Sequence, residues 1–353
     1  MNQKDVIDKN LIFDSTVFDD KMEVWDISED PACIYGGCAA DNAPFQRMPE
    51  KVAEKISPGV ADRAKRSAGI RLAFQTNSRR IGLMVKLKRF VRFAVQTDLS
   101  SRGFDIYVNN EYRKSIIPPD GSGDEYVQVV DLEDSEIKSV ILYFPYNAVI
   151  EKVLLGVDKG SFRKQSDPYR TDIKPIIFYG SSITHGFCAS RPGMTFSSVS
   201  SRILNTDFIN LGFSGACLAE RGMAEYISGL EKSVLVCGYD HNEHDVDVYR
   251  RNHLNFYREF RKFDSETPIL FITRPSTSCG IAEVRLRNAV VRETCAYAEE
   301  NGDKAVYFLN GQKLFGKEIA KDCTIDGIHP NDLGNYFMAR EICKKIKIIL
   351  GMD

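Results

Sequence analysis

The stretch Pro175-Ile-Ile-Phe-Tyr-Gly-Ser-Ser-Ile-Thr184 decides how the second half of the chain is interpreted. Its run of four apolar residues without polar alternation predicts a strand that is covered on both faces, as in a parallel sheet. Small turn-forming residues follow, so the stretch predicts a buried strand that delivers Ser182 at its carboxyl end, where such sheets carry their chemistry. Taken alone, Gly180-Ser181-Ser182 is explained equally well as an ordinary strand-to-helix turn.

Strands and helices alternate on both sides of this stretch. The predicted strands are Ile176–Tyr179, Phe208–Leu211, Ser233–Cys237, Ile269–Thr273 and Val306–Leu309. The predicted helices are Phe196–Leu204, Ala219–Ser228, Val246–Phe263, Ala282–Glu300 and Asp332–Ile349. This alternation indicates an α/β domain over residues 170–353, in which helices cover both faces of a parallel sheet.

The first half of the chain has a different pattern. Short β-rich segments follow one another at intervals of roughly 8–12 residues with little helix between them, which is typical of an antiparallel β-sandwich of the jelly-roll type. They are Ile70–Phe74, Ile81–Leu87, Val91–Val95, Phe104–Val108, Tyr126–Val130, Ser139–Phe144 and Val149–Val157. The sequence therefore predicts a first domain over residues 20–160 and a linker at Lys159–Lys174, where Gly, Ser, Asp and Pro dominate.

The composition excludes several classes of function. With 353 residues, 27% charged residues and a net charge of −2, the chain resembles a soluble protein of two domains rather than one that binds nucleic acid. It has no signal-peptide pattern and no apolar run of about 18 residues, so we expect a cytoplasmic protein without a membrane span. The nine cysteines and five histidines show no ligand spacing, and His241 and His244 are interpreted as a solvated pair, so no structural metal is predicted.

Four stretches at the ends of predicted elements together suggest catalysis. They are Ser182, Asn210–Gly215, Gly238–Asn242 and Asp326–His329. A serine needs a base, and the base needs a third group to fix its tautomer. His329 and Asp326, three residues apart on a turn that contains glycine, can provide both. The backbone N–H groups of Ser182 and Gly215 and the side-chain amide of Asn242 would stabilise the oxyanion.

Each of these residues also has a purely structural explanation. Asp326 could cap a turn and His329 could be a solvated loop residue. Gly215 could relieve crowding of the backbone, and Asn242 could cap the helix that begins near Val246. We favour the catalytic interpretation because four separate stretches with complementary chemistry all fall at the ends of predicted elements.

Other residues near these stretches are more ambiguous. Arg191 and Arg274 follow the first and fourth strands, and each could line a substrate pocket or form a structural ion pair. His185 is expected to be solvent-exposed at the rim of the site rather than catalytic. Cys188 is expected to be a small buried residue, since nothing near it in the sequence would lower the pKa of its thiol.

The four stretches resemble the four blocks of the SGNH (GDSL-type) hydrolase superfamily over the whole second domain. This resemblance implies a flavodoxin-like three-layer α/β/α fold, with Ser182 as nucleophile, His329 as base and Asp326 as its orienting acid. It also implies Gly215 and Asn242 as oxyanion-hole donors. The chain departs from the family at Ser181, where the first block often has Asp, so the support of this loop is expected to differ.

A narrower resemblance links the chain to bacterial SGNH proteins with an amino-terminal β-sandwich, some of which are carbohydrate acetylesterases. The stretches that carry it are Ser67–Ile70, Gly103–Tyr107, Tyr143–Tyr146 and Cys188–Met194. It implies hydrolysis of a small acyl ester, most readily an acetyl group on a carbohydrate, with no cofactor. The alternatives are a lipase or thioesterase that uses the same residues, and a non-catalytic carbohydrate-binding protein. The expected partner is a small-molecule or oligosaccharide ester, and the sequence leaves the oligomeric state open.

Overall fold

The computed structural model describes residues 15–38, 43–275, 278 and 280–352. In the described part of the first half the strands are β1 (Met22–Asp26), β2 (Ile34–Tyr35), β3 (Arg71–Thr76), β4 (Arg80–Phe90), β5 (Phe104–Val108), β6 (Glu111–Ile116), β7 (Glu125–Asp131), β8 (Lys138–Tyr143), β9 (Ala148–Asp158) and β10 (Arg163–Gln165). Its helices are α1 (Glu50–Ile56), α2 (Pro58–Ala64) and α3 (Asp98–Arg102).

The second half alternates strand and helix. Its strands are β11 (Ile176–Gly180), β12 (Phe208–Gly212), β13 (Val234–Gly238), β14 (Ile269–Ile272) and β15 (Val306–Leu309). Its helices are α4 (Ser182–His185), α5 (Phe196–Leu204), α6 (Arg221–Ser228), α7 (Val246–Phe263), α8 (Ile281–Glu300) and α9 (Asp332–Leu350).

The strands of the first half form two antiparallel sheets packed face to face. One has the strand order β1-β9-β4-β7, and the other has the order β10-β3-β8-β5-β6 with β2 paired to β3. Alternate residues point inward, so that Leu72 and Phe74 of one sheet share a core with Leu83 and Leu155 of the other. The predicted antiparallel sandwich is confirmed, and its jelly-roll subtype stays a prediction.

Two local predictions for this half were wrong. Val91–Val95 was predicted as a strand, but the segment is irregular and ends in a turn, and Phe93 and Val95 are exposed at 41% and 46%. The predicted linker contains a short strand, β10, which pairs with β3. In the first case, alternating apolar residues suggested a strand although they do not line the sandwich core.

The strands described in the second half form a parallel sheet with the order β12-β11-β13-β14-β15. This is the flavodoxin-like order. The strands that follow β11 lie on both sides of it, and this reversal of strand order leaves a crevice at the carboxyl ends of the strands. One face of the sheet packs against α5 and α9, and the other packs against α6, α7 and α8. The predicted three-layer fold is confirmed, and it places Ser182 at the switch point.

Parts of the first half also pack against the parallel sheet. Helices α1 and α2 join the core on the α6 face through Ala53 and Val60. Arg71 of β3 is fully buried, donates to the Phe208 carbonyl at 3.0 Å and forms an ion pair with Asp207. The domain bounds 20–160 and 170–353 stay a prediction. Among the helices described, none is long and apolar enough to cross a membrane.

Candidate active site

Ser182 is the first residue of α4 and follows β11 after a single intervening residue. That residue, Ser181, caps the helix because its Oγ accepts a hydrogen bond from the Ile183 N–H at 3.3 Å. The Ser181 N–H donates to the carbonyl of Gly238 at the end of β13, at 3.1 Å. Ser181 therefore supports the loop through a helix cap at the position where the family often has Asp.

Ser182, His329 and Asp326 form a chain of hydrogen bonds. The Ser182 Oγ lies 2.9 Å from His329 Nε2, and His329 Nδ1 lies 2.6 Å from Asp326 Oδ2. His329 reaches Ser182 from the loop that precedes α9, and an isolated bridge between Thr324 and Pro330 closes this loop. The structure thus brings together the three residues that the sequence predicts as nucleophile, base and orienting acid.

The Asp326 carboxylate bonds to the backbone of its own turn as well as to the His329 ring. Its Oδ1 accepts from the N–H groups of Ile328 at 3.0 Å and His329 at 2.8 Å, which leaves Oδ2 for the imidazole. Partial burial acts to raise the pKa of Asp326, but the hydrogen bonds from His329 and Ile328 outweigh it and the pKa is lowered overall. The carboxylate is therefore ionised at neutral pH and holds the proton of His329 on Nδ1. The Asp326 side chain therefore caps its turn through Oδ1 and contacts His329 through Oδ2.

Gly215 lies in a β-turn that follows β12. The Ala216 N–H donates to the Phe213 carbonyl at 2.9 Å, and Gly215 has a φ of +68°, which favours glycine. Within the described part of the chain, the backbone N–H groups of Ser182 and Gly215 have no hydrogen-bond acceptor. Both donors are thus available to a ligand.

Asn242 lies against the same turn. Its Nδ2 donates to the carbonyls of Phe213 at 3.3 Å and Cys217 at 3.2 Å, which flank Gly215. Helix α7 is capped by Asp245 instead, so the capping alternative for Asn242 is wrong. In this arrangement the amide of Asn242 holds the turn, and it would have to release one carbonyl to bind an oxyanion.

The two arginines that were candidates for a substrate pocket form structural pairs. Arg191 forms an ion pair with the fully buried Asp105 at 2.9 Å and packs on the ring of Tyr112. Arg274 is buried and donates to Asp240 through its backbone N–H at 3.1 Å and its Nε at 3.2 Å. Arg274 also lines a small cavity beside α4, whereas the contacts of Arg191 join the sandwich to the loop after α4.

The expected exposure of His185 was wrong. His185 is fully buried, and its Nε2 lies 2.6 Å from the Tyr146 carbonyl. Burial, reinforced by the nearby Arg47, lowers its pKa well below the usual value, so it is neutral. Of the pair that was expected to be solvated, His244 is exposed, whereas His241 is half-buried with a buried Nε2, and burial lowers the pKa of His241 to about 4. Cys188 is buried as expected, and burial raises the pKa of its thiol to about 12.

The described residues contain no group of three or more His, Cys, Asp or Glu side chains that could hold a metal ion. Beside the Ser182 hydroxyl they place an imidazole, a carboxylate and two backbone N–H groups without an acceptor. Such a set can perform acyl transfer without Lewis-acid assistance.

An aromatic pair beside His329 was missed by the sequence analysis. The ring of Phe187 lies 4.6 Å from the His329 ring, and Phe93 packs edge-on against Phe187 at 5.0 Å. Phe93 belongs to the irregular segment of the first half, so the sandwich side of the molecule forms one wall of the candidate site. The alternating apolar residues of Val91–Val95 were the sequence signal that could have indicated this aromatic contact, but the alternation was interpreted as a strand.

Comparison with known proteins agrees with this fold. Residues 173–347 match the model of the GDSL-like lipase/acylhydrolase family, and residues 22–162 match the model for the N-terminus of SGNH-hydrolase-type esterases. The chain therefore belongs to the SGNH (GDSL-type) hydrolases. More narrowly, it is of the two-domain type in which a separate amino-terminal domain precedes the hydrolase domain.

Several solved structures resemble this fold over most of the chain. A GDSL-like lipase from Bacteroides ovatus, so named in its structure, is 25% identical to this chain. Its TM-score is 0.85, over 94% of this chain and 99% of its own. The salicylyl-acyltransferase SsfX3 from a tetracycline biosynthetic pathway is 18% identical, with a TM-score of 0.74 over 96% and 97%. A family two carbohydrate esterase from Clostridium thermocellum is 17% identical, with a TM-score of 0.61 over 80% and 93%. No curated protein sequence matches the chain significantly.

Proposed function

We propose that this protein is a serine esterase that hydrolyses small acyl esters, preferably acetyl esters of carbohydrates, through an acyl-enzyme on Ser182. The observation that carries the proposal is the hydrogen-bond chain from Ser182 Oγ through His329 to Asp326. A serine becomes nucleophilic when a neighbouring base takes its proton in the transition state, and the third group stabilises the imidazolium that forms.

In the first half-reaction, the Ser182 Oγ attacks the ester carbonyl while its proton passes to His329 Nε2. The tetrahedral intermediate then collapses, the bond to the alcohol breaks, and the same proton leaves with the alcohol. In the second half-reaction, a water molecule gives a proton to Nε2 and attacks the acyl-enzyme. The acid is released and Ser182 Oγ regains its proton. Asp326 keeps its negative charge throughout and holds the Nδ1 proton.

The negative charge that develops on the carbonyl oxygen is assigned to two backbone donors. The N–H groups of Ser182 and Gly215 are without acceptors in the described residues, which supports their role as the oxyanion hole. We assign Asn242 first to holding the Gly215 turn, because its Nδ2 already contacts two carbonyls there. Asn242 becomes a third donor only if it exchanges one of these carbonyls for the oxyanion.

Two observations support a small acyl group on a carbohydrate. The sequence stretches shared with carbohydrate acetylesterases point to this substrate class. The Clostridium thermocellum neighbour is a carbohydrate esterase whose structure contains cellohexaose, and it shares this fold.

A panel of esters tests the substrate class. We expect kcat/KM on nitrophenyl acetate to exceed that on the octanoate by at least roughly tenfold, because an acyl chain too long for its pocket must displace protein groups to place its carbonyl at Ser182. We also expect acetate to be released from acetylated oligosaccharides. A preference for long chains would indicate a lipase or thioesterase. Turnover at the level of the Ser182→Ala variant on every ester would indicate a binding protein.

The acceptor of the acyl group is a separate measurement. SsfX3 is a salicylyl-acyltransferase, so a protein of this fold need not transfer its acyl group to water. Quantifying free acid and transferred ester in the presence of an added alcohol distinguishes the two reactions. We expect free acid to predominate; a predominance of transferred ester would make the protein an acyltransferase.

A further inference from the structure

We propose that Arg63 of α2 is a positioning residue for the oxyanion hole. It would act by holding the Ser214–Gly215 peptide so that the Gly215 N–H is presented to the oxyanion. This inference rests on the proposed function, because it assigns a role within the same reaction. It also gives a helix from the first half of the chain a direct effect on a reaction performed by the second half.

The central contact joins Arg63 to the peptide that contains the oxyanion donor. Arg63 Nε donates to the Ser214 carbonyl oxygen at 2.9 Å. That oxygen and the Gly215 N–H belong to the same peptide unit, and the chain has no cis peptide among the described residues. In a trans peptide the C=O and N–H point in opposite directions. By holding the oxygen toward α2, Arg63 directs the N–H away from α2.

The turn needs such a restraint because its central peptide has two alternative orientations. The positive φ of Gly215, with no positive φ at Ser214, corresponds to a type II β-turn over Phe213–Ala216. Types I and II differ mainly by a rotation of the central peptide, which reverses its C=O and N–H. Because Gly215 accommodates both orientations easily, the hydrogen bond to Arg63 selects one of them.

Arg63 also strengthens the donor that it orients. A hydrogen bond from a guanidinium to a carbonyl polarises the amide, and hydrogen bonds in such chains reinforce one another. The other polar contacts of Arg63 are weaker, with Nη1 at 3.4 Å from both the Gly59 carbonyl and Asp62 Oδ2. The short contact to Ser214 is therefore the one that fixes the direction of the side chain.

The surrounding packing is built for this contact. A Cβ on Gly59 of α2 would lie 2.8 Å from the Cβ of Ala216, so glycine allows the helix to approach the turn closely. The fully buried Arg47 donates to the carbonyls of Asn210 at 3.0 Å and Gly212 at 2.6 Å. Together the two arginines occupy every second carbonyl from Asn210 to Ser214, which anchors the segment from the end of β12 to the turn.

The test compares Arg63→Met with the wild-type protein on nitrophenyl acetate. Removal of an oxyanion donor outright costs about 10²–10³ in kcat, and loss of its restraint is expected to cost less, about tenfold. KM is expected to change by less than about twofold, because the contact matters only when charge develops. The inhibition constant of a boronic acid that forms a tetrahedral adduct with Ser182 is expected to rise by the same factor as kcat falls.

Two further variants make the result specific. Asp62 also pairs with Arg66 and Arg89, and Arg89→Met, which removes one of these arginines, is expected to leave kcat unchanged. Arg63→Lys keeps the positive charge but loses the planar guanidinium, and it is expected to lose roughly threefold in kcat. If Arg63→Met does not fold, Arg63→Lys carries the test alone. A kcat within about twofold of wild type, an equal loss in Arg89→Met, or unchanged boronate inhibition overturns the inference. Failure of the proposed function appears differently, as equal rates for wild type and Ser182→Ala.

Discussion

Replacement of Ser182 by Ala is expected to lower kcat on a short ester by about 10⁴-fold or more, because the nucleophile of a covalent mechanism has no substitute. The side chain is 9% exposed and its Oγ contacts His329, so the substitution removes one hydroxyl without opening a large cavity. Steady-state kinetics on purified protein measures this loss. The melting temperature should stay close to that of the wild type.

Ser181→Ala is the matched control for Ser182→Ala, since it removes a hydroxyl one residue earlier. Ser181 caps α4, so the free energy of unfolding is expected to fall by about 1 kcal/mol, as for other helix N-caps. Its effect on kcat is expected to be within about threefold, since the Ser181 hydroxyl faces the helix N–H rather than the substrate. If the two variants lost activity equally, the assignment of Ser182 over Ser181 would be wrong.

Asp326→Asn is the second substitution with a very large expected effect, about 10³–10⁴ in kcat. The two backbone N–H groups of Ile328 and His329 need an acceptor, so the amide oxygen is expected to take the place of Oδ1. The amide nitrogen then faces His329 Nδ1 as a donor. His329 Nδ1 must then act as the acceptor, so the imidazole carries its proton on Nε2. A protonated Nε2 can no longer accept the proton of Ser182.

Asp322→Asn provides the control for charge, because it removes a carboxylate from the same loop without touching the histidine. Its kcat is expected to stay within about twofold of the wild type. Folding of Asp326→Asn is checked by circular dichroism and thermal unfolding. An activity within about tenfold of the wild type in a folded Asp326→Asn variant would contradict the role of Asp326 in fixing the tautomer.

The parts of the site that depend on local sequence were predictable. The apolar run of β11 followed by small residues placed Ser182 at the end of a buried strand, and the structure confirms this strand. The spacing of Asp326 and His329 is short enough that one turn determines their contact, which is 2.6 Å. Helices Phe196–Leu204 and Val246–Phe263 were predicted with the bounds that the structure gives, because their apolar periodicity and their ends agree.

The parts that depend on distant contacts were not predictable. Arg63 and Ser214 are 151 residues apart, and nothing in either local sequence indicates their hydrogen bond. Phe93 was placed in a strand because its neighbours alternate, whereas its position follows from packing against Phe187 of the other half. His185 was expected at the solvent-exposed rim, but the fold brings the Tyr146 carbonyl close to it as a buried partner.

The central claim is that the acyl group passes through a covalent bond to Ser182, and trapping that intermediate tests it most directly. The wild-type protein is mixed with excess nitrophenyl acetate, quenched in acid within the first turnover and digested for mass spectrometry. We predict an acetyl group on Ser182, and its absence from the Ser182→Ala variant treated in the same way. Acetylation at another side chain such as Cys188 that scales with turnover, or product formation without any acetylated Ser182, would contradict the account.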